Sequence, residues 1–282
     1  MQFISTLRDI SKQYQAIFCD VWGVVHNGEW SFPAAAKALE QARADGLAVV
    51  LVTNAPRRHD RIIEQLAALG VPRAAYDHIV TSGDATRGMI AEGPGRIFHI
   101  GSEREMTMYE ELDVEFCEER EADVIVCTGL FHDEEETPDD YAELLQRLRA
   151  RDMLMICANP DIMVERGTRH IYCAGSIARA YQQLGGRVSL AGKPHQPIYD
   201  LAMREAESVL GHAISKAKVL AIGDGLLTDV KGAVMCGYDV LYISAGIHAR
   251  EYGEHGKPDK DALKAWLAKN SVAPVATMPM LA

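Results

Sequence analysis

The chain has 282 residues, of which 48% are hydrophobic and 24% charged, values typical of a globular protein with one large or two ordinary domains. Its formal net charge of −11 argues against a nucleic-acid partner, because a phosphate backbone would repel it. The sequence has no signal-peptide core near its start, no apolar run of ~20 residues and no C-x-x-C pair among its six cysteines, so we expect a cytoplasmic protein without membrane contacts or zinc.

The first 83 residues follow a β-α-β-α-β order, which predicts a parallel sheet with crossover helices. After the first strand, the pair Asn27-Gly28 predicts a tight hairpin turn, because both residues tolerate positive φ. The strands predicted here are 16–19, 47–52 and 78–81, and the helices are 33–45 and 57–69.

From about residue 84 the alternation of strands and helices continues in what is predicted to be a separate α/β unit. The last third of the chain resumes the pattern of the first 83 residues. The tail from Ser271 is expected to be loosely held. The middle third has predicted strands at 97–100, 114–117, 124–127 and 154–157, and helices at 103–112, 138–151 and 176–184. The last third has predicted strands at 188–190, 219–222 and 240–243, and helices at 196–210, 228–235 and 259–269.

Four of the predicted strands end on or just before polar residues, namely Asp20, Thr53, Lys193 and Asp224. Because the carboxyl ends of parallel strands meet at one edge of a sheet, we expect these side chains to converge there. Each residue taken alone is more often a helix cap or a turn residue. Their joint order is what favours a catalytic site.

The spacing of these residues predicts an inserted domain. Successive site residues are 31 to 33 positions apart on either side of the gap, whereas 140 separate Thr53 from Lys193. A single crossover does not need that length. We therefore predict a core domain formed by 1–83 and 186–282, and an inserted α/β cap domain at 84–185.

The chemistry of the set is that of metal-assisted phosphoryl transfer. Asp20 and Asp224 offer the hard oxygen ligands that Mg²⁺ prefers. Asp20 would attack phosphorus and form an aspartyl-phosphate. Lys193 would neutralise charge on the phosphate oxygens in the transition state, and Asp229 would orient Lys193 or a metal-bound water. The groups expected to hold the phosphate are the Thr53 hydroxyl and the backbone N–H groups of Val21, Trp22 and Gly23.

The sequence resembles the haloacid dehalogenase superfamily in four ordered motifs, which are Asp20-Val21-Trp22-Gly23-Val24, Thr53-Asn54, Lys193, and Gly223-Asp224-Gly225-Leu226-Leu227-Thr228-Asp229. It is similar in particular to class IIA, the NagD and p-nitrophenylphosphatase-like branch, at 53–56, 81–86, 158–161 and 192–194. The resemblance covers nearly the whole chain. It implies a Rossmann-like core with helices on both faces of a parallel sheet, an inserted α/β cap, Mg²⁺, phosphate binding by Thr53-Asn54, and small phosphorylated substrates.

Trp22 departs from these motifs. In phosphatases that the sequence resembles, this position is usually a second aspartate, which protonates the leaving group and later activates water. The resemblance also implies that residue 22 ligates Mg²⁺ through its backbone carbonyl, which tryptophan still supplies. We therefore expect a loss of acid–base catalysis rather than of metal binding. His26 reads as a surface residue rather than a replacement acid.

Three functions are compatible with this tryptophan. The first is a phosphatase that works slowly, or on esters whose leaving groups need no proton, such as acyl or enol phosphates. The second is a protein that binds phosphorylated ligands without turnover. The third is dehalogenase-like chemistry at Asp20, because haloacid dehalogenases carry an aromatic residue at the matching position. The inserted cap and its Asn-Pro-Asp loop favour the phosphatase.

The cap is expected to select the substrate, which the sequence does not identify. Asn159 and Asp161 form a candidate substrate loop, and the alternative is an Asx-Pro turn that only closes its strand. Arg166, Arg169 and His170 are candidates for contacting a second anionic group, or form a solvated basic loop. The resemblance implies a possible homodimer through the cap.

Overall fold

The computed structural model describes residues 1–166, 169–254 and 257–282, without the side chains of Glu165 and Arg166. These residues form two compact units. The first unit comprises Met1–Thr53, Ile63–Val80 and Tyr199–Ala282, and the second comprises Asn54–Ile62 and Thr81–Ile198. Among the described helices, none combines the length and the apolar character needed to cross a bilayer.

The regular elements alternate along most of the chain. The strands are β1 (Gln2–Phe3), β2 (Ala16–Cys19), β3 (Ala48–Thr53), β4 (His78–Thr81), β5 (Arg96–Ile100), β6 (Glu115–Phe116), β7 (Val124–Cys127), β8 (Leu154–Cys157), β9 (Met163–Arg166), β10 (Arg169–Tyr172), β11 (Arg187–Leu190), β12 (Val219–Gly223), β13 (Asp239–Ile243), β14 (Gly253–Glu254), β15 (Lys257–Pro258) and β16 (Ala276–Met278). The α-helices are α1 (Arg8–Ser11), α2 (Pro33–Ala44), α3 (His59–Ala68), α4 (Ser82–Ala91), α5 (Ala142–Ala150), α6 (Ala174–Gln183), α7 (Gln196–Leu210), α8 (Lys231–Cys236) and α9 (Lys260–Lys269).

The first unit is built on a seven-stranded sheet in the order β1-β16-β13-β12-β2-β3-β4. The pairs from β1 to β3 in this order are parallel. Every residue of β2, β3 and β12 is buried, which is the pattern of parallel strands covered on both faces. The predicted α/β fold with a parallel, helix-flanked sheet is confirmed.

The second unit has its own parallel sheet, in the order β11-β8-β7-β5-β6. Alternate residues of β7 belong to different apolar clusters: Ile125 and Cys127 pack with Leu148, whereas Val124 and Val126 pack with Ile97. Since successive side chains of a strand point to opposite faces, this sheet is covered by apolar residues on both sides.

One strand bears on the predicted domain limits. Residues 186–282 are predicted to belong to the core, but β11 (Arg187–Leu190) pairs in parallel with β8 of the second unit over four residues. This strand therefore belongs to the sheet of the second unit, and the chain returns to the first unit only at Tyr199. The limits 1–83, 84–185 and 186–282 themselves stay a prediction.

The prediction of a loosely held tail is wrong. Residues Ala276–Met278 form β16, which is buried and pairs in parallel with β13 on one side and β1 on the other. A strand of three residues flanked by prolines carries too short an apolar pattern to be recognised locally. It is stabilised by two neighbours that lie far away in the sequence.

Three predicted helices take tighter or wider forms over part or all of their length. The helix predicted at 138–151 begins as a 3₁₀ helix at Pro138–Tyr141 and continues as α5. The helix predicted at 103–112 is a 3₁₀ helix at Glu103–Tyr109. The helix predicted at 228–235 begins instead as a π-helical turn at Leu226–Val230, followed by α8. Such π turns are frequent at functional sites, and this one contains Asp229.

Candidate active site

Three carboxylates converge at the carboxyl edge of the first unit's sheet. Asp20 follows β2 and Asp224 follows β12, two adjacent parallel strands in which Cys19 is paired with Ile222. Asp229 lies on the π turn that comes next. One oxygen from each carboxylate lies within 4.8 Å of the others. All three residues are buried, with exposed fractions of 8%, 6% and 5%.

Backbone N–H groups orient two of these carboxylates. The Ile247 N–H donates to Asp224 Oδ2 at 2.8 Å, and the Gly225 N–H donates to Asp229 Oδ2 at 2.9 Å. The N–H of Asp20 donates to the Ile222 carbonyl at 2.8 Å, which continues the ladder between β2 and β12 by one residue. The position of Asp20 is thus set by the sheet itself.

Glycines allow the backbone to approach these carboxylates closely. A Cβ at Gly23 would lie 2.5 Å from Asp224 Oδ2, and one at Gly246 would overlap the same oxygen. A Cβ at Gly223 would overlap the Asp229 carboxyl carbon. Gly23 also has a φ of +82°, which few other residues adopt. A side chain at any of the three positions would displace a carboxylate.

Gly246→Ala is therefore expected to weaken binding of a divalent cation by about 10- to 100-fold, because it displaces the Asp224 carboxylate. The measurement is the rise of the melting temperature with MgCl₂ concentration, which does not require a substrate. The control is Gly88→Ala in α4, where an added Cβ meets nothing within 4 Å. Identical magnesium responses of the two variants would contradict a metal-binding role for Asp224.

The three carboxylates fit a divalent metal ion by their chemistry. They are hard oxygen donors, which Mg²⁺ and Ca²⁺ prefer. Buried like charges at this spacing repel one another, and a bound cation removes that repulsion. Asp20, Asp224 and Asp229 would hold the ion. The backbone carbonyl of Trp22 as a further ligand stays a prediction.

The side chain of Trp22 lies against the turn that follows it. Its ring and that of His26 meet edge-on, with centroids 5.1 Å apart. A Cβ at Gly28 would lie 2.6 Å from the indole Cη2, so only glycine leaves room for the ring. The predicted hairpin turn is formed by the four residues Asn27 to Trp30, and an isolated antiparallel β-bridge joins the residues on either side, His26 and Ser31. Within this turn only Gly28 has a positive φ.

The expectation that His26 is a surface residue is wrong, because it is 1% exposed. Its Nδ1 accepts a hydrogen bond from the Gly28 N–H at 2.9 Å, so the neutral ring carries its proton on Nε2. Burial lowers the pKa of His26 to about 4. The ring is thus neutral at pH 7 and stabilises the loop that carries Trp22.

We expect this histidine to make folding stability depend on pH. In the unfolded chain His26 has a pKa of about 6.5 and binds a proton below that pH, whereas in the folded protein it binds one only near pH 4. The free energy of unfolding therefore falls as the pH drops from about 6.5 to about 4. From pH 7 to pH 5 the wild type should lose about 2 kcal/mol more of its free energy of unfolding than His26→Asn loses. The asparagine keeps an acceptor for the Gly28 N–H. Urea unfolding at both pH values measures this loss.

The control for that measurement is His212→Asn, which replaces an exposed histidine of the same unit. It should leave the pH dependence of the wild type unchanged. A pH dependence in His26→Asn equal to that of the wild type would contradict a neutral, buried His26.

The first unit also contains the predicted phosphate-binding groups Thr53 and residues 21–23. Thr53 is the last residue of β3, which neighbours β2, and it is buried. The N–H of Gly23 donates to the His26 carbonyl at 2.8 Å within its own loop. Gly23 thus makes a hydrogen bond within its own loop and also lies close to Asp224. Phosphate binding by the N–H groups of Val21, Trp22 and Gly23 stays a prediction.

The second unit brings Asn54, Asp161 and Lys193 together. Asn54 Oδ1 accepts from the Lys193 N–H at 2.7 Å, and Asn54 Nδ2 donates to the Lys193 carbonyl at 3.1 Å. The same Nδ2 donates to Asp161 Oδ1 at 2.9 Å. Asn54 and Lys193 are buried. The Asn54 amide, predicted to bind phosphate, thus holds the backbone of Lys193.

The candidate substrate loop has the geometry of an Asx turn. Asn159 Oδ1 accepts from the Asp161 N–H at 3.0 Å, as the alternative interpretation predicts. Arg169, one of the candidates for contacting a second anionic group, pairs with Glu134 at 3.0 Å. The side chain of Arg166 lies outside those described.

The sequence-based prediction missed Gly246 and Ile247, which pack against Asp224. The available signal is that Ser244-Ala245-Gly246-Ile247 directly follows the buried strand β13, at the same edge of the sheet as Asp20 and Asp224. It also missed His248, whose Nε2 accepts from the Leu226 N–H at 3.3 Å at the start of the π turn.

Two family models match the chain. One, described as haloacid dehalogenase-like hydrolase, matches residues 17–115, and the other, described as HAD-hydrolase-like, matches residues 190–269. The first match contains Asp20 and Thr53. The second contains Lys193, Asp224 and Asp229.

Solved structures of similar fold extend over almost all of the chain. A hydrolase of the haloacid dehalogenase-like family from Brucella suis 1330 is 56% identical, with a TM-score of 0.89 and coverage of 99% of this chain and 100% of that one. The p-nitrophenyl phosphatase from Archaeoglobus fulgidus is 22% identical, with a TM-score of 0.72 and coverage of 95% and 96%. A glycerol phosphate phosphatase from Mycobacterium tuberculosis, in complex with calcium, is 24% identical, with a TM-score of 0.65 and coverage of 84% and 68%.

Proposed function

Because the chain belongs to the haloacid dehalogenase-like hydrolase family, we propose that it is a phosphatase that uses Asp20 to hydrolyse a small phosphorylated metabolite. The predictions of an enzyme and of this superfamily are confirmed by the family models and the 56% identical hydrolase. The class IIA branch is part of the proposal, and the shared fold of the p-nitrophenyl phosphatase supports it. The observation that carries the proposal is the convergence of the Asp20, Asp224 and Asp229 carboxylates in the first unit.

Asp20 carries the covalent step in this proposal. Its carboxylate oxygen attacks phosphorus while the bond from phosphorus to the ester oxygen breaks, which gives an aspartyl-phosphate and releases the alcohol or its anion. Water then attacks the same phosphorus, inorganic phosphate leaves, and the Asp20 carboxylate is restored. A divalent cation, when bound by these carboxylates, supplies the positive charge that lets one anion approach another.

Other residues bind and orient the phosphoryl group. The Thr53 hydroxyl and the N–H groups of Val21 and Trp22 would donate to its oxygens. Lys193, assigned to the reaction by its sequence motif, would neutralise charge that develops in the transition state. Asp229 holds the Gly225 N–H and so fixes the loop that begins with Asp224.

The surroundings of Asp20 favour substrates with good leaving groups. Trp22 has no acidic proton to give, and His26 is a neutral, buried ring whose Nδ1 is engaged by Gly28. Neither residue therefore protonates a departing alkoxide. The carboxylate expelled from an acyl phosphate and the enolate expelled from an enol phosphate are weaker bases than an alkoxide and can leave without that proton. We therefore propose acyl and enol phosphates as the substrate class.

Trp22 also favours a second candidate function, which is binding of a phosphorylated ligand without turnover. A screen of phosphorylated metabolites with Mg²⁺ or with EDTA, using wild type and Asp20→Asn, separates the two. The phosphatase proposal expects magnesium-dependent phosphate release by the wild type alone, fastest with acyl or enol phosphates. Equal inertness of both proteins, with a ligand-induced rise in melting temperature, would support the binding protein. Chloride release from 2-haloacids would support dehalogenase chemistry instead.

A further inference from the structure

The Asn54 side-chain amide makes hydrogen bonds to two loops of the second unit. An asparagine amide offers two N–H donors and one carbonyl acceptor. Its oxygen receives the Lys193 N–H, while its nitrogen donates to the Lys193 carbonyl and to Asp161 Oδ1. Both N–H groups and the carbonyl are thereby engaged by the loops that follow β8 and β11.

This pattern gives the amide only one acceptable orientation. Turning it over would place the amide nitrogen against the Lys193 N–H, donor facing donor, and the amide oxygen against the Asp161 carboxylate, acceptor facing acceptor. An ionised carboxylate has no proton to donate, so it can only accept hydrogen bonds. Hydrogen bonds to it are about twice as strong as those between neutral groups. Asp161 therefore reinforces the orientation in which Asn54 holds both backbone groups of Lys193.

Close packing leaves little room for the three residues to shift. A Cβ at Gly192, just before Lys193, would lie 2.5 Å from Asn54 Oδ1 and 2.8 Å from Pro160 Cδ. A Cβ at Gly175, in α6, would overlap the Pro160 carbonyl. The Asp161 N–H is held by Asn159. A displacement of the Asp161 side chain is consequently passed to Asn54 and from there to Lys193.

We propose that Asp161 is a positioning residue for Lys193, acting through the Asn54 amide, and that it does not contact the substrate. The inference rests on the proposed function only in that Lys193 takes part in the reaction. It assigns the loop at 159–161 to the placement of a lysine rather than to substrate recognition. Loss of Asp161 should then lower kcat and leave KM nearly unchanged.

The kinetic test is a double-mutant cycle of Asp161→Ala and Asn54→Ala, assayed with whichever phosphate ester the wild type hydrolyses. We expect each single variant to lower kcat about 10-fold, and the double variant to be no slower than Asn54→Ala alone, because Asp161 acts through Asn54. Asp161→Asn keeps an oxygen acceptor and should recover most of the loss. The control is Asp139→Ala, an exposed carboxylate of the same unit.

A second measurement needs no turnover. The measurement is the rate at which acetyl N-hydroxysuccinimide acylates Lys193, followed by peptide mass spectrometry, with Lys216 and Lys264 as reference lysines. Acylation of Lys193 should be slow in the wild type, where this residue is 4% exposed. We expect it to be at least about fivefold faster in Asp161→Ala and near wild type in Asp161→Asn. If Asp161→Ala does not fold, Asp161→Ser, which shortens the acceptor, takes its place.

The two measurements distinguish a failure of this inference from a failure of the proposed function. An inert enzyme in which Asp161→Ala still accelerates acylation of Lys193 supports the positioning role and contradicts only the phosphatase. The inference is overturned if acylation is unchanged, if the losses of kcat in the cycle are additive, or if Asp161→Ala raises KM with kcat intact.

Discussion

Asp20→Asn is expected to lower phosphate release at least about 10³-fold with every substrate that the wild type hydrolyses. The neutral amide is a poor nucleophile towards phosphorus, so the covalent step is lost. The amide also removes one of the three negative charges that would hold the cation. Phosphate release under saturating substrate and MgCl₂ measures the loss, and intact-protein mass after an acid quench should detect a phosphoryl adduct on the wild type alone.

The matched control is Asp261→Asn, which makes the same substitution in the same unit at a side chain that is 93% exposed. It should release phosphate at the wild-type rate. Asp20 is set by the sheet ladder through its N–H, so Asp20→Asn should unfold cooperatively like the wild type. Retention of more than a tenth of the activity in folded Asp20→Asn would exclude Asp20 as the nucleophile.

Trp22→Asp is expected to raise kcat by about 10²-fold on esters of ordinary alcohols, because it supplies a group that can protonate the leaving oxygen and then activate water. The backbone carbonyl at residue 22 is retained, so the metal requirement should not change. Measuring kcat over a series of phosphate esters tests the reason. The gain should be greatest for the most basic leaving group and smallest for p-nitrophenyl phosphate.

The control for this gain is Trp22→Asn. It removes the same ring contacts with Gly28 and His26 but provides no acid. We expect it to turn over no faster than the wild type. Equal gains in both variants would mean that the indole ring slows the enzyme by obstruction, and that a missing acid is not the cause.

Most of the core architecture was predictable because its signals are local. Buried parallel strands appear in a sequence as short apolar runs, and polar residues follow their carboxyl ends. The sequence alone therefore predicts that Asp20 and Asp224 lie at one edge of the sheet, where the pairing of β2 with β12 places them. The strand β16 was not predictable. Its three residues have no distinctive pattern, and its place between β1 and β13 depends on partners more than 30 residues away.

The environment of side chains was less predictable than their positions in the chain. His26 has the sequence context of an exposed turn, yet it is buried and neutral because Gly28 and Trp22 close over it. Asn54 lies in a motif that is predicted to bind phosphate, yet its amide is engaged by Lys193 and Asp161. Hydrogen bonds between residues more than 100 positions apart leave no periodic trace in a sequence.

The sequence by itself determined the family, the parallel α/β architecture, and which residues carry the acids, the hydroxyl and the lysine, because these follow from the order of residues along each strand and the loop behind it. Only the tertiary structure decided which of those groups meet and how each is held. It brought Asp229 to the carboxylates of Asp20 and Asp224 and assigned Gly246 a close approach to Asp224. The physical reason is that burial, charge proximity and hydrogen-bond partners are properties of the folded arrangement, set by contacts across the sheet and between loops.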